Sequence, residues 1–381
     1  MNKRTGGRLA SLAVASVLAL TASACGSDSG ASGSGGSGGS GDSGGSGESA
    51  GKVGVILPDA TTSPRWEAND RPALQQAFDD AGIESDIQNA GGDVAQFSSI
   101  CDSMINSGVQ VLMIVNLDSE SGKACLDKAA QAGVQSIDYD RLTLGGGASY
   151  YVSFDNVKVG ELMGQGLEQC LGDENKTEAN IAFINGDPTD NNAALFKSGY
   201  EQALKPKIDD GTYTLVGDQT GEWDAQKAAT AFDGIYTSND GDVDGVVSAN
   251  DTMAGGIIAR LKANGVAGQV PVTGQDASVE GLQRILAGTQ CMTVYKNVSV
   301  EAKAASDLAI ALINGDTAKA DELASGSVED TELGEQVPSV LAEPQSVFAE
   351  DVKTVIDDGF QKAEDVCTGE FQKACQEAGI S

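Results

Sequence analysis

The sequence contains no histidine among its 381 residues, and this absence removes several classes of enzyme at once. A Ser-His-Asp or Cys-His nucleophile system cannot be assembled without an imidazole, and neither can the usual histidine-bearing zinc sites. Basic residues are also scarce: 24 Lys and Arg stand against 56 Asp and Glu, a formal net charge of −32. Because a field of that sign repels phosphate backbones, nucleic acid is not an expected partner. Carboxylate-based chemistry remains open.

Long apolar runs are missing as well, since the apolar stretch at residues 9–20 is too short to cross a bilayer. It follows a basic segment and precedes Ala22-Ser23-Ala24-Cys25, which resembles a bacterial lipobox. We expect residues 1–24 to be a signal peptide and Cys25 to carry lipid, with ordinary signal cleavage as the alternative. Residues 25–51 then form a lipidated, Gly/Ser-rich flexible tether, because such a composition cannot bury a core. This predicts a location on the outer face of the cytoplasmic membrane, held by the lipid anchor only.

Export gives the cysteine count a meaning, because disulfides persist in oxidising compartments. Of the seven cysteines, Cys25 is assigned to lipid, and the remaining even number allows fifteen pairings. Two cysteines lie on helices expected to pack side by side. Another two can meet only if the C-terminal helix breaks, for which Thr368-Gly369 is the expected place. The favoured pairs are Cys101–Cys125, Cys367–Cys375 and, by elimination alone, Cys170–Cys291.

From residue 52 onwards, short apolar runs alternate with longer amphipathic stretches. Continuous apolar runs are typical of parallel strands covered by helices on both faces. The predicted strands are 53–57, 85–88, 109–115, 134–139, 150–154, 180–184, 212–216, 245–248, 270–273 and 292–295. The predicted helices are 67–81, 94–107, 119–132, 157–171, 191–204, 225–237, 252–263, 279–287, 300–314 and 349–357.

These elements fall into two βα sets of similar length, on either side of residue 156. The sequence therefore predicts an α/β fold with two doubly wound parallel-sheet lobes, joined by a hinge that the chain crosses three times. We expect lobe one to comprise residues 52–153 with 297–337, and lobe two to comprise residues 155–292 with 342–381.

Polar residues follow the predicted strands of both lobes, at the edge where open α/β sheets bind ligands. Carboxylates, amides and guanidinium groups can together hold vicinal hydroxyls in a hydrogen-bond network. Trp66 and Trp223, the only two tryptophans, lie beside these strand ends and can sandwich the apolar face of a sugar ring. Some of the polar residues also have a structural interpretation, since Asp190 or Asn250-Asp251 could simply cap the following helix. Their recurrence favours a site for a polyhydroxylated ligand.

A series of short motifs, spread in order over residues 53–359, connects the chain to a known family. They are Arg65-Trp66, Tyr139-Asp140-Arg141, Ser153-Phe154-Asp155-Asn156, Asp190-Asn191-Asn192-Ala193, Ala249-Asn250-Asp251, Gly274-Gln275-Asp276-Ala277, and Thr289-Gln290 with Thr293-Val294-Tyr295-Lys296. With these motifs the chain resembles the type I periplasmic sugar-binding proteins of ABC transporters, and within them the xylose-binding group.

The resemblance implies a periplasmic-binding-protein type I fold that captures a monosaccharide, D-xylose first, between two closing lobes. It implies a monomer that delivers the sugar to the transmembrane subunits of an ABC permease, with no cofactor, no metal and no catalytic residue. Carried over motif by motif, the implied sugar-binding residues are Arg65, Trp66, Asp140, Arg141, Asn191, Asn192, Trp223, Asn250, Asp251, Asp276 and Lys296.

Alternatives remain open at this point. Glucose/galactose-type proteins share several motifs, so glucose, galactose or several sugars could be the ligand. A carboxylate-dependent sugar enzyme is less favoured, because it needs two carboxyls at catalytic separation or a metal cage, and no dedicated motif is present. Residues 240–251 fit an EF-hand calcium loop except for Asp at the twelfth position, but residues 243–248 are needed as a strand.

Overall fold

The computed structural model describes residues 51–380, so the expected signal peptide, Cys25 and nearly all of the tether lie outside the described residues. Parallel strands alternate with helices, as the apolar pattern predicts. The strands are β1 Lys52–Leu57, β2 Glu84–Asn89, β3 Val111–Ile114, β4 Gln135–Tyr139, β5 Tyr150–Phe154, β6 Ala179–Asn185, β7 Tyr213–Thr220, β8 Gly245–Ser248, β9 Thr293–Tyr295, β10 Gly326–Asp330, β11 Glu335–Ala342 and β12 Gln345–Val347. The α-helices are α1 Arg71–Asp80, α2 Val94–Asn106, α3 Ser119–Gln131, α4 Asn156–Asp173, α5 Asn191–Asp209, α6 Ala225–Ser238, α7 Asp251–Ala263, α8 Val279–Leu286, α9 Val298–Ile313, α10 Thr317–Leu323, α11 Val352–Asp357, α12 Ala363–Val366 and α13 Gln372–Glu377.

The first sheet has the order β10-β11-β5-β4-β3-β1-β2 and is parallel except for the β10–β11 hairpin. Successive side chains of a strand point to opposite faces, and β1 uses both. Val53 and Val55 pack with α1 and α9 in one core, whereas Ile56 packs with α2 and α3 in another. Burial on both faces is the reason why this strand reads as a continuous apolar run.

The second sheet is built on β7-β6-β8, all parallel. It continues through single bridges, Val246 to Val272 and Gln275 to Val294, towards the antiparallel pair β9–β12. The predicted strand at 270–273 is therefore reduced to one bridge. Helix α4 packs closely on α5 where Gly160 has no side chain: a Cβ at this position would overlap the backbone of Phe196.

The chain passes between the two lobes after Phe154, between Tyr295 and Val298, and after Ala342. The last crossing corrects the expected end of lobe one at 337: β11 pairs in parallel with β5 as far as Ala342 and Phe154, so the first sheet extends to that residue. Strand β10 is absent from the sequence-based prediction because Gly326–Asp330 is polar and half-exposed at a sheet edge, where no apolar run is required.

The disulfides join the same three pairs that the sequence favours. The Cα–Cα distances are 6.0 Å for Cys101–Cys125, 6.4 Å for Cys170–Cys291 and 5.8 Å for Cys367–Cys375. In the tail the helix breaks between the two cysteines of the last disulfide, as expected. Helix α12 ends at Val366, just before Cys367, and Gly369 adopts a positive φ of 54°. Of the described helices, none combines the length and the apolar character that crossing a bilayer requires.

Candidate functional site

A small cavity of about 30 Å³ lies in the cleft between the lobes. Both sheets direct the carboxyl ends of their parallel strands towards it, as expected for an open α/β fold. Its walls contain every residue that the motifs implied except Asn191 and Asp251. The lining residues are Thr62, Ser63, Arg65, Trp66, Asp140, Arg141, Asp190, Asn192, Phe196, Trp223, Asn250, Gln275, Asp276 and Lys296.

Arg65 is fixed by a set of buried carboxylates. Its Nε and Nη2 donate to the two oxygens of Asp70 at 2.9 and 2.7 Å, and Nη1 donates to Asp140 Oδ2 at 2.8 Å. Nη2 also donates to Glu301 Oε2 at 2.5 Å. The bonds to Asp70 are bidentate, the geometry that best holds the plane of a guanidinium. The network therefore orients Arg65 before any ligand arrives.

Several polar contacts cross the cleft directly. Arg141 Nε pairs with Asp190 Oδ2 at 2.9 Å, and Asn192 Nδ2 donates to Asp140 Oδ1 at 3.1 Å. On the other side of the cavity Ser63 Oγ donates to Asp276 Oδ2 at 3.0 Å, and Lys296 Nζ lies 3.4 Å from Asp276 Oδ1. Because these partners come from both lobes, the cleft is closed around the cavity.

The electrostatics of Asp140 suit an acceptor. Burial acts to raise the pKa of its carboxyl, but the nearby charges of Arg65, Lys296 and Arg141 outweigh that effect and hold the pKa below its ordinary value. Asp140 is therefore ionised at neutral pH and accepts hydrogen bonds. Burial raises the pKa of Asp190, an effect that Arg141 opposes.

Backbone strain is concentrated in the cavity wall. Asp140, Trp223 and Asp276 have φ angles of 63°, 59° and 93°, in the region that non-glycine residues rarely adopt. Such conformations cost on the order of 1–3 kcal/mol each and persist where the surrounding structure imposes them, often at ligand sites. The strain turns these three side chains into the cleft.

The wall also presents buried polar atoms that no other protein atom satisfies. Among the described residues, these include the indole Nε1 of Trp66, the indole Nε1 of Trp223 and the amide Oε1 of Gln275. An unpaired buried polar group costs on the order of 1–3 kcal/mol, so such groups are rare and call for an explanation. Here all three belong to residues that line one cavity, and a ligand with hydroxyl groups could satisfy them.

Two of the implied sugar-binding residues are corrected by the structure. The Asp251 carboxylate is buried behind the wall, where Oδ2 accepts from the Ser278 backbone N–H at 2.9 Å and Oδ1 accepts from Gln290 Nε2 at 2.7 Å. Asn191 is the first residue of α5 and lies beside the cavity-lining Asn192 without reaching the cavity. Their motifs are adjacent to true lining residues, and adjacency in sequence does not fix direction on a helix.

The implied sugar-binding set lacks five of the lining residues, of which Asp190 and Gln275 nevertheless stand in its motifs: Thr62, Ser63, Asp190, Phe196 and Gln275. A signal existed for Phe196, because it lies four residues after Asn192 on α5 and so shares its helix face. Asp190 both caps α5, accepting from the Asn192 backbone N–H at 2.9 Å, and pairs with Arg141. The capping interpretation is therefore correct, and the same side chain also lies in the cavity wall.

The candidate calcium loop has other partners. Asp244 Oδ2 accepts from the Asn180 backbone N–H at 2.9 Å, and residues from Gly245 onwards form β8. Throughout residues 51–380, no group of three or more acidic or cysteine side chains is arranged to hold a metal ion.

Two lobes that close a polar cavity with aromatic walls define a binding protein for a small ligand. Residues 53–317 match the family described as "Periplasmic binding protein domain", and the chain belongs to this family. The relatives described next are named as binding proteins.

Individual relatives agree with this assignment. The chain is 36% identical over 313 residues to the D-xylose-binding periplasmic protein of Escherichia coli (strain K12), covering 82% of this chain and 91% of the relative. It is 33% identical to the multiple sugar-binding periplasmic receptor ChvE of Rhizobium radiobacter, covering 82% and 92%. A solved carbohydrate transporter solute-binding protein from Chloroflexus aurantiacus, in complex with D-glucose, is 29% identical with a TM-score of 0.74, covering 82% of this chain and 97% of that one.

Proposed function

We propose that the protein captures a monosaccharide, D-xylose first, in the cleft and delivers it to the transmembrane subunits of an ABC importer. The observation that carries the proposal is the set of unsatisfied polar atoms of Trp66, Trp223 and Gln275 on the wall of one closed cavity. The two indole N–H groups are donors and the Gln275 amide oxygen is an acceptor, so hydroxyl groups of a ligand can pair with all three. The indole rings can at the same time pack against the apolar face of a sugar ring.

The charges of the wall favour a neutral ligand. Each cation is already paired with a carboxylate: Arg65 with Asp140, Arg141 with Asp190, and Lys296 with Asp276. A charged ligand would add an unpaired charge to a buried site, which is unfavourable by several kcal/mol. Sugar hydroxyls, by contrast, can donate to the carboxylates and accept from the cations without changing the charge balance.

The relatives support a single sugar unit as the ligand. The relative at 36% identity is named for D-xylose, whereas a relative at 33% is named for multiple sugars and a structure at 29% contains D-glucose. Glucose, galactose or several sugars therefore remain the second candidate.

Delivery to an importer fits the expected export of the chain. In this proposal Cys25 is lipidated, residues 26–51 tether a monomer to the outer face of the membrane, and the three crossings act as the hinge of the two lobes. Lobe one would then be built on β1–β5 with α9 to β11, and lobe two on β6–β9 with the C-terminal region. Mass spectrometry of the N-terminal peptide from a native membrane fraction checks the anchor: an unmodified Cys25 would reject it.

A thermal-shift panel tests the sugar. D-Xylose, L-arabinose, D-ribose, D-glucose and D-galactose are compared at equal concentration on the mature chain, with an Asp276→Ala variant as the site control. A ligand at about one hundred times its dissociation constant stabilises a fold by about 2.7 kcal/mol, a clear shift in the midpoint. We expect the largest shift with D-xylose and a much smaller one in the variant. A shift with hexoses alone would reject the pentose, and no shift with any sugar would reject the proposal.

A further inference from the structure

Behind the cavity wall, Arg65 has used most of its hydrogen-bonding capacity on carboxylates. A guanidinium carries five N–H donors. Asp70 takes the Nε donor and one Nη2 donor, Glu301 takes the second Nη2 donor, and Asp140 takes one Nη1 donor. One Nη1 donor is left for a ligand, and Arg65 lines the cavity. The direction of that single donor depends on how firmly the other four are held.

Glu301 is the member of this set that comes from a distant part of the chain. It lies in the first turn of α9, which begins at the second crossing between the lobes, directly after Lys296 and Asn297. Its side chain is fully buried, its Oε2 lies 2.5 Å from Arg65 Nη2, and it is not among the residues that line the cavity. The residue therefore connects the crossing to the guanidinium.

The helix around Glu301 packs mainly against apolar residues. The neighbours of Glu301 on the buried face of α9, Ala302 and Ala305, pack in the apolar core of the first sheet. Glu301 Oε1 is buried and has no hydrogen-bond partner among the described residues. A buried carboxyl with an unsatisfied oxygen lowers stability, so its presence suggests a role in which Oε2 matters more than stability does.

We propose that Glu301 is a positioning residue for ligand binding, which fixes the Arg65 guanidinium so that its last N–H donor faces the ligand. The inference rests on the proposed role of Arg65 as a sugar-binding residue, and it adds the group that makes this role possible. Asp70 holds one edge of the guanidinium and is itself held by the Tyr139 hydroxyl, which donates to Oδ1 at 2.7 Å. Glu301 accepts a second hydrogen bond from Nη2, so it keeps the guanidinium plane from rotating about the Nε–Nη2 edge that Asp70 binds.

The uncharged form of Glu301 is sufficient for this role. Around Arg65 stand three carboxyls, and a second cation, Lys296, lies 3.9 Å from Asp140. Burial raises the pKa of Glu301 to about 8, an effect opposed by Arg65 and reinforced by Asp140 and Asp70. The charged and titratable groups that face this carboxyl are Arg65, Asp70, Tyr139, Asp140, Tyr151 and Lys296. Because Oε2 accepts from Arg65 in either form, glutamine has the same shape and the same acceptor as the neutral acid.

Calorimetric titration of four variants tests the inference, with whichever of D-xylose and D-glucose binds the wild type more tightly. Glu301→Leu keeps the volume and removes the acceptor, Glu301→Asp withdraws the carboxyl by one methylene, and Glu301→Gln retains the acceptor. Asp307→Asn is the control, because that residue lies on the same helix and pairs with the exposed Lys303, away from the cavity.

We expect Glu301→Leu and Glu301→Asp to lower affinity about tenfold or more, since a hydrogen bond to a charged group is lost or stretched. Glu301→Gln and Asp307→Asn should stay within about threefold of the wild type. If Glu301→Gln keeps the affinity that Glu301→Leu loses, the loss comes from the missing hydrogen-bond acceptor. Thermal midpoints measured without sugar show whether any variant has lost stability. If Glu301→Leu does not fold, the Asp and Gln variants decide alone.

Wild-type affinity in both Glu301→Leu and Glu301→Asp would overturn the inference, and so would an equal loss in Glu301→Gln. An Arg65→Gln variant distinguishes the two proposals. If it binds like the wild type, the sugar-binding role of Arg65 is wrong; if it loses affinity while the Glu301 variants do not, only the positioning role is wrong.

Discussion

Asp251 and Asp276 are two buried aspartates from neighbouring motifs, and the structure gives them opposite roles. Asp276 lines the cavity, accepts from Ser63 across the cleft and pairs with Lys296 at the second crossing. Asp251 is enclosed in the second lobe, where a Cβ on either Gly274 or Gly281 would overlap its carboxylate. The glycines at these two positions leave the space that the carboxylate fills. A shared residue type thus serves binding at one position and folding at the other.

This difference predicts different outcomes for the same substitution. Asp276→Asn should weaken sugar binding by about 2–5 kcal/mol, because it removes the negative charge from a buried ion pair. It should change the unfolding midpoint little. Asp251→Asn should lower the free energy of unfolding by about 1–3 kcal/mol, because an amide replaces one of the two acceptor oxygens with an NH2 donor. Calorimetry and denaturant unfolding on both variants measure the two effects. Loss of affinity in Asp251→Asn with full stability would show that Asp251 takes part in sugar binding after all.

Glu301 makes the stability of the protein depend on pH in a defined direction. Its pKa is about 8 in the folded protein and 4.5 in an unperturbed carboxyl, so the folded state holds a proton that the unfolded state releases. The contribution of this proton to stability is complete below pH 4.5 and is lost as pH rises through about 8.

We therefore expect Glu301→Gln to gain stability relative to the wild type as pH rises from about 5 to about 9, because glutamine has no proton to lose. Denaturant unfolding at several pH values measures the difference. Burial also raises the pKa of Asp138 to about 7 and that of Asp251 to about 6, but both are present in wild type and variant and cancel in the comparison. A difference that is constant with pH would contradict the raised pKa of Glu301.

The sequence shows clearly which residue types surround the ligand and less clearly which side chains face it. Arg65, Asp140 and Lys296 could be assigned because each belongs to a motif with several matched positions. Gln275 stands inside such a motif and was still missed, because only the unsatisfied Oε1 in the folded structure reveals its direction. Glu301 has no motif: it is one of two acids in α9, and its partner Arg65 is 236 residues away.

At the scale of secondary structure, the end of β6 shows how backbone chemistry places an aromatic wall. Gly186 directly follows the strand, and a Cβ there would overlap the six-membered ring of Trp223. Glu222 and Trp223 adopt consecutive left-handed conformations, with φ of 49° and 59°, which brings the indole back over the strand end. The turn thus places the indole of Trp223, and Gly186 leaves the space that the indole occupies.

Gly186→Ala should therefore displace the Trp223 ring and weaken sugar binding about tenfold or more, since a buried aromatic contact would be lost. Gly172→Ala is the matched control, because Gly172 lies on the exposed face of α4 with nothing near its Cβ position. That variant should bind normally and be slightly more stable, as expected for Gly→Ala in a helix. Tryptophan fluorescence and calorimetry on both variants check the result. Equal affinity in the two variants would mean that Trp223 does not need this space.

Most elements were predictable because their burial patterns are simple. β1 and β3 are buried on both faces, and helices α2 and α3 begin at the aspartate caps Asp93 and Asp118. The exceptions are elements whose place is decided by tertiary contacts. Helix α10 lies in a stretch that reads as an acidic loop, and β10 is a polar edge strand that forms only because β11 is beside it.

At the scale of the whole molecule, the closed cleft is held by contacts between protein groups as well as by any ligand. Arg141 and Asp190 form an enclosed ion pair across it, with side-chain exposures of 9% and 4%. Arg141 Nη1 also donates to the Asn116 carbonyl at 3.1 Å, so the guanidinium is anchored in lobe one and reaches Asp190 in lobe two. In an open form both charges would be hydrated, and closure would remove them from water. The pair thus favours closure only while both partners are present.

Asp190→Asn isolates this contribution. Asparagine is as good a helix cap as aspartate, so α5 should still begin correctly, but Arg141 would be buried without its counter-ion in the closed form. We expect the closed form to lose on the order of 2–5 kcal/mol, so that sugar affinity falls while the unfolding of each lobe changes little. Small-angle scattering during a sugar titration measures closure directly, and the variant should become compact only at higher sugar concentration than the wild type. Asp224→Asn, a change at the exposed cap of α6, serves as the control. If Asp190→Asn becomes compact at the same sugar concentration as the control, the ion pair does not contribute to closure.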